Sequence, residues 1–305
     1  MNLLQKKSIR VLLGLGAAFL ALVLLLGVYR VVSGRSLGLK TLAYNATSWA
    51  INPIKMVLTG REIAAESKGD FTNIVFLHHS TGNNLIDQSN LREMLSEEGY
   101  RLWDHHYNET GLRNPDGIYE GYNYRVPGDN TNPDGFAEIF SQPELTVPLN
   151  TFSALMQHEV IIYKSCFRPA NHIASDAQLQ QYKDWYIDIH ATMAAHPDRV
   201  FVLMTIPPLN PAETNPDEAA RARTFAEWML SDEFLAGQRN VFVFDFYGLL
   251  AEHDPSAPDY GMLRADFRDG DDSHPNQKAN ETIGPIFAEF LKENIANYRS
   301  ALASD

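Results

Sequence analysis

Hydrophobic and polar positions change their rhythm along the chain. Residues 11–29, VLLGLGAAFLALVLLLGVY, are uncharged on every helical face and follow Lys6, Lys7 and Arg10. At about 1.5 Å per residue this run reaches roughly 28 Å, close to the ~30 Å hydrocarbon core of a bilayer, and it predicts a membrane helix. Tyr29-Arg30-Val31-Val32 follows it in place of a small-x-small cleavage site, so the expectation is an uncleaved anchor over residues 1–30. The basic flank Lys6, Lys7 and Arg10 against Arg30, Arg35 and Lys40 places the amino terminus in the cytoplasm and the rest of the chain outside. Residues 31–68 read as a juxtamembrane stalk, with Asn52-Pro53 marking a turn.

From residue 69 the rhythm becomes that of a globular domain running to residue 305. Short continuous apolar runs predict strands over residues 73–78, 100–106, 159–164, 199–206 and 240–246. Between them lie helical stretches over residues 85–98, 175–195 and 218–230, and a last helix over 276–295 closes the chain. Leu179, Tyr182, Trp185, Tyr186 and Ile189 recur at helical spacing after the capping Ser175. Residues 107–150 are rich in Gly, Pro, Asn and Asp and read as a long functional or inserted loop. Fully apolar strands alternating with amphipathic helices imply about five parallel strands in one flavodoxin-like sheet, covered by helices on both faces. Ligands of such sheets bind beyond the carboxyl ends of the strands.

Charge sharpens this division. Residues 1–68 carry a net +7 and the remaining 237 residues a net −20, which together give the −13 of the whole chain. A basic head on an acidic body suits a membrane-tethered protein whose body faces water, and it argues against a nucleic-acid partner. The single cysteine, Cys166, excludes an intramolecular disulfide framework and paired-cysteine zinc sites. No thiol-enzyme signature surrounds Cys166, which reads as a structural thiol at a strand end.

The reactive residue types gather after strand ends. The first strand runs into His78-His79-Ser80-Thr81-Gly82-Asn83-Asn84, which puts a serine at a strand-to-helix turn. A serine hydroxyl there either caps the helix or acts as a nucleophile with an adjacent base. Before the last helix comes Asp269-Gly270-Asp271-Asp272-Ser273-His274-Pro275-Asn276. A carboxylate in this loop can fix the tautomer of His274 and stabilise its imidazolium.

Ser80 after the first strand, with Asp271-x-x-His274-Pro275 before the final helix, resembles the SGNH (GDSL-like) hydrolase family. The resemblance spans roughly residues 70–295 and includes the strand ending in Thr205-Ile206-Pro207-Pro208. It implies a three-layer α/β/α fold, no metal or other cofactor, and cleavage of small ester or acyl groups. Carried over, Ser80 matches the nucleophile, His274 the general base and Asp271 its orienting acid. The oxyanion hole would be formed by Ser80, Gly111 (with Gly117 behind it) and Asn171. Two blocks depart from the family. Its Gly-Asp-Ser reads His78-His79-Ser80 here, and its Gly-x-Asn-Asp is replaced by Lys164-Ser165-Cys166-Phe167-Arg168-Pro169-Ala170-Asn171.

Two other function classes stay open on the sequence. His78, His79, Asp104, His105 and His106, joined by Asp271, Asp272 and His274, could serve a metal-dependent hydrolase. Adjacent histidines on a strand point to opposite faces, which limits how many reach one ion. A tethered binding or assembly protein that kept the fold without catalysis is the other class. For an enzyme, the acidic exterior suits a neutral small-molecule or carbohydrate-borne ester better than a polyanion, with water or an alcohol as acyl acceptor.

Overall fold

A computed structural model describes residues 39–107, 109–127, 133–165 and 171–304, with side chains from residue 52 onward. The apolar runs form strands β1 (Asn73–His78), β2 (Arg101–His106), β3 (Gly111–Arg113), β4 (Val160–Tyr163), β5 (Val200–Met204) and β6 (Val241–Phe244). They make one sheet in the order β3-β2-β1-β4-β5-β6. β1 runs parallel to β2 and β4, β4 to β5, and β5 to β6, whereas β3 lies antiparallel on β2. The strand order reverses direction at β1 and β4, so the crevice beyond their carboxyl ends is the switch point where such sheets place their sites.

Because successive side chains leave a strand on opposite faces, each apolar run feeds two cores. Val75, Leu77, Trp103, Ile161, Tyr163, Phe201 and Leu203 face one side, with Tyr186 of the helix Asp176–Ala194 and Phe225 of the helix Pro216–Met229. Ile74, Phe76, Leu102, Ile162, Val202 and Phe244 face the other. There they meet Leu85 and Ile86 of the helix Ser80–Ser89, and Ile283, Phe287 and Leu291 of the helix Gln277–Leu302. The expected mixed α/β sheet with helices on both faces is therefore present.

The structure differs from the sequence reading in four places. The sheet has six strands, because Gly111–Arg113, within the expected long loop, pairs as an antiparallel edge strand. The helix expected over 85–98 starts at Ser80 and breaks at Asn90, whose φ of 57° ends one helix and begins the next, Leu91–Glu97. The turn expected at Asn52-Pro53 is absent, since both residues lie inside the helix Leu39–Glu66. A proline there forfeits one backbone hydrogen bond, which a helix this long survives. Residues 52–66, expected to be stalk, belong to the compact unit Asn52–Asp305. Ile63 is fully buried, and Ser67 Oγ donates to the Gln157 carbonyl at 2.8 Å. The apolar run 11–29 and Cys166 lie outside the described residues. Among the described residues no helix is long and apolar enough to cross a membrane.

Candidate active site

β1 delivers His78 at its last position, and the helix Ser80–Ser89 begins two residues later. Ser80 does not cap this helix. His79 holds the capping position in extended geometry, without a side-chain cap bond, and Ser80 is the first helical residue. Its backbone N–H thus belongs to the first turn, where N–H groups have no carbonyl one turn earlier and carry the positive end of the helix dipole. The tight turn depends on Gly82. A Cβ at Gly82 would stand 2.3 Å from Cβ of His78, so only glycine lets the first turn close onto the strand end.

His274 reaches Ser80 from the loop before the last helix, with Nε2 2.8 Å from Ser80 Oγ. On its other side Nδ1 lies 2.8 Å from Oδ1 of Asp272, and the His274 backbone N–H donates to the same oxygen at 3.1 Å. The carboxylate that meets His274 is therefore Asp272 and not the expected Asp271, which lies outside these bonds. The reason lies in the turn: Gly270, at φ 60°, and the Asp272 side chain accepting the N–H two residues on fold the loop tightly. Partial burial works to raise the Asp272 carboxyl, but the His274 ring and backbone hydrogen bonds and the His274 charge hold it below its ordinary value.

Asn210, in the segment after β5, fastens this loop from beneath. Its Nδ2 donates to the carbonyls of Gly270 and Asp272, each at 3.0 Å, and its backbone N–H donates to Ser273 Oγ at 3.0 Å. Asn210 is buried, and Ser273 Oγ in turn donates to Glu213. A lone asparagine after Pro207-Pro208-Leu209 carries no sequence signal for such a role, because all of these partners lie some 60 residues away.

Behind the serine turn, His78 and Asp104 form a fully buried pair, Nε2 to Oδ2 at 2.9 Å. Arg92 and Arg113 close on the same carboxylate, Arg113 Nε at 2.8 Å. Burial works to raise Asp104, but His78, Arg92 and Arg113 outweigh it and bring it down to about 2. This network ties β1 to β2 directly below the site. His105 turns away, its Nε2 accepting the Tyr124 backbone N–H at 2.7 Å, while His106 stacks on His78. Among the described residues no three His, Cys, Asp or Glu side chains converge as a metal site.

The expected oxyanion donors stand on separate segments of the carboxyl edge. Ser80 opens the helix. Gly111 pairs with His106 at the start of β3, at φ 85°, and a Cβ there would lie 2.4 Å from the Tyr122 carbonyl oxygen. Asn171 is buried, with its amide donating to the Pro207 carbonyl, so one N–H of that group is engaged by the backbone.

No family model matches the chain, and no curated protein matches it in sequence. Among solved structures, the fold is similar to a Streptococcus pneumonia protein provisionally described as a platelet activating factor. The two share 12% identity with a TM-score of 0.45, over 83% of this chain and all of that one. It is also similar to a Bacteroides fragilis protein provisionally described as an acylhydrolase, with 8% identity and a TM-score of 0.42, over 73% of this chain and 88% of that one.

Proposed function

We propose that this chain is a membrane-anchored serine hydrolase that cleaves or transfers a small acyl group from a neutral or carbohydrate-borne ester. The observation that carries the reading is the continuous line Asp272–His274–Ser80, two contacts of 2.8 Å, at the switch point of a parallel sheet. Asp272, an acceptor only, requires the proton on His274 Nδ1, which leaves Nε2 as the base. Ser80 Oγ attacks the ester carbonyl as its proton passes to His274 Nε2. The leaving alcohol takes that proton, and water or an acceptor alcohol then repeats the sequence on the acyl-enzyme. Backbone N–H of Ser80, at the positive end of its helix, faces the developing oxyanion, with Gly111 and Asn171 as further candidate donors. The apolar run 11–29 supports the anchor, and the acidic body supports an uncharged ester.

The test is a panel of acyl esters of increasing chain length, assayed on the detergent-solubilised full chain beside Ser80→Ala. Turnover lost in Ser80→Ala supports the reading. Equal rates in both proteins would place the nucleophile elsewhere, and no turnover in either would return the chain to a non-catalytic binding role.

A further inference from the structure

Ser80 Oγ is touched by two imidazoles. Besides His274 Nε2 at 2.8 Å, Nδ1 of His79 lies 3.4 Å from the same oxygen. His79 occupies the position where the resembled family carries aspartate, and the proposed reaction gives it no part. Resting on that reaction, we infer that His79 is a further catalytic residue, whose Nδ1–H donates a hydrogen bond to Ser80 Oγ and stabilises its negative charge during attack.

The direction of the bond follows by elimination. A serine hydroxyl has one proton and two lone pairs. Asp272 fixes the proton of neutral His274 on Nδ1, so Nε2 can only accept, and the Ser80 proton points there. Toward His79 the oxygen then has lone pairs alone, and the contact is a hydrogen bond only if His79 Nδ1 carries hydrogen. The surroundings hold the ring in this place. It is edge-on to His106 with centroids 5.1 Å apart, tilted against Tyr107 at 5.4 Å, and only 16% exposed. On the far side Nε2 lies 3.8 Å from Oε1 of Glu109. The two imidazoles thus have opposite duties at one atom. His274 removes the proton, and His79 supplies a donor where charge collects. The His79 proton stays on Nδ1 throughout, so the balance of the step is unchanged: the Oγ–C bond forms, and the Ser80 proton moves to His274.

The second-order rate of labelling by an alkyl fluorophosphonate, measured on the full chain, tests this without knowledge of the natural ester. There Oγ bonds to phosphorus, fluoride leaves, and the Ser80 proton goes to His274. His79→Leu should slow labelling about 10-fold, less than the roughly 10²–10³ of a well-placed oxyanion donor because 3.4 Å is long. His79→Asn, whose amide nitrogen falls where Nδ1 stood, should recover most of that rate. His79→Gln, whose nitrogen falls where Nε2 stood, should not. Labelling by the leucine variant at the parent rate would overturn the inference, as would asparagine no faster than leucine or glutamine as fast as asparagine. If Ser80→Ala were labelled as quickly as the parent, the proposed nucleophile would fail instead. Normal labelling in every His79 variant with none in Ser80→Ala would remove only the role of His79.

Discussion

Ser80 Oγ and His274 Nε2 meet at 2.8 Å across 194 residues of sequence, and the helices that follow them pack against each other along one face of the sheet. A pair that close acts as a unit if it exchanges the reacting proton. Ser80→Ala and His274→Ala should then each abolish most of the turnover, on the order of 10⁶ in a comparable triad, with the double change costing little more. Steady-state rates of the two single variants and the double variant check this. Losses that multiply would mean that the two residues act independently.

The neighbouring aspartates give a sharper comparison. Asp272 accepts both the ring and backbone N–H of His274, whereas Asp271 has no part in either bond. Asp272→Asn should therefore cost turnover heavily, about 10⁴ where an amide imposes the wrong tautomer on the base. Asp271→Asn should leave the rate within a factor of about two. The same ester assay separates them, and the reverse order would place the orienting acid one residue earlier.

Those two residues also mark how far the site was legible in the sequence. Reactive residue types beyond apolar runs pointed to Ser80 and His274, because a parallel sheet gathers its strand ends on one edge. Choosing between Asp271 and Asp272 requires the geometry of the turn at Gly270, which the spacing of three nearby aspartates does not encode. β3 is not legible in the sequence because three residues are too few to show a period. The helical segment 52–66 was hidden by Asn52-Pro53, a local turn signal overridden by packing such as that of Ile63. Asn210 was illegible for a different reason: its importance lies entirely in distant backbone carbonyls.

Asn210 is expected to act through His274 and not on substrate. Asn210→Ala removes the donors that hold Gly270 and Asp272 in place, so the loop that carries His274 loses its register. kcat should fall by roughly 10²-fold with KM little changed, the pattern of a misplaced catalytic group. A rise in KM at constant kcat would place Asn210 in substrate binding instead.

The contact between the helix Ser80–Ser89 and the last helix, Gln277–Leu302, rests on Gly284. A Cβ there would stand 2.1 Å from both Cβ and Oγ of Ser89, and Asn280 Nδ2 donates to Gln88 Oε1 at 2.7 Å beside it. Gly284→Ala should destabilise by about 1–3 kcal/mol through overpacking, and should also lower activity by separating His274 from Ser80. Ser89→Gly clears the obstructing atoms, so the double variant should recover part of both losses. Denaturant midpoints and turnover for the four proteins of this cycle check it. Strict additivity would mean that the two positions do not touch.

The fold's response to acid follows from its buried histidines. Burial, first of all, brings His105 down to about 3, His106 to about 4 and His158 to about 3, against an ordinary value of 6.5. Their folded values are depressed, so the stability they contribute is fully present above about pH 6.5. It is lost as pH falls toward 4 and 3, because the unfolded chain binds protons that the native chain refuses. Three such groups steepen the loss by up to about 4 kcal/mol per pH unit near pH 5. Asp104 adds a separate term at lower pH, present above its ordinary value of 3.8 and lost as pH falls through about 2. His158 isolates the effect, since it lies at the amino end of β4, away from Ser80. Its Nδ1 meets Asn73 Oδ1 at 2.9 Å, and its buried Nε2 has no partner among the described residues to receive an added proton. His158→Asn keeps a donor toward Asn73 and removes the titrating ring, so the slope of stability against pH near 5 should fall by about one third. Urea unfolding followed by tryptophan fluorescence at pH 7, 6 and 5 measures that slope. An unchanged slope would mean that His158 takes up its proton in the folded protein as readily as in the unfolded one.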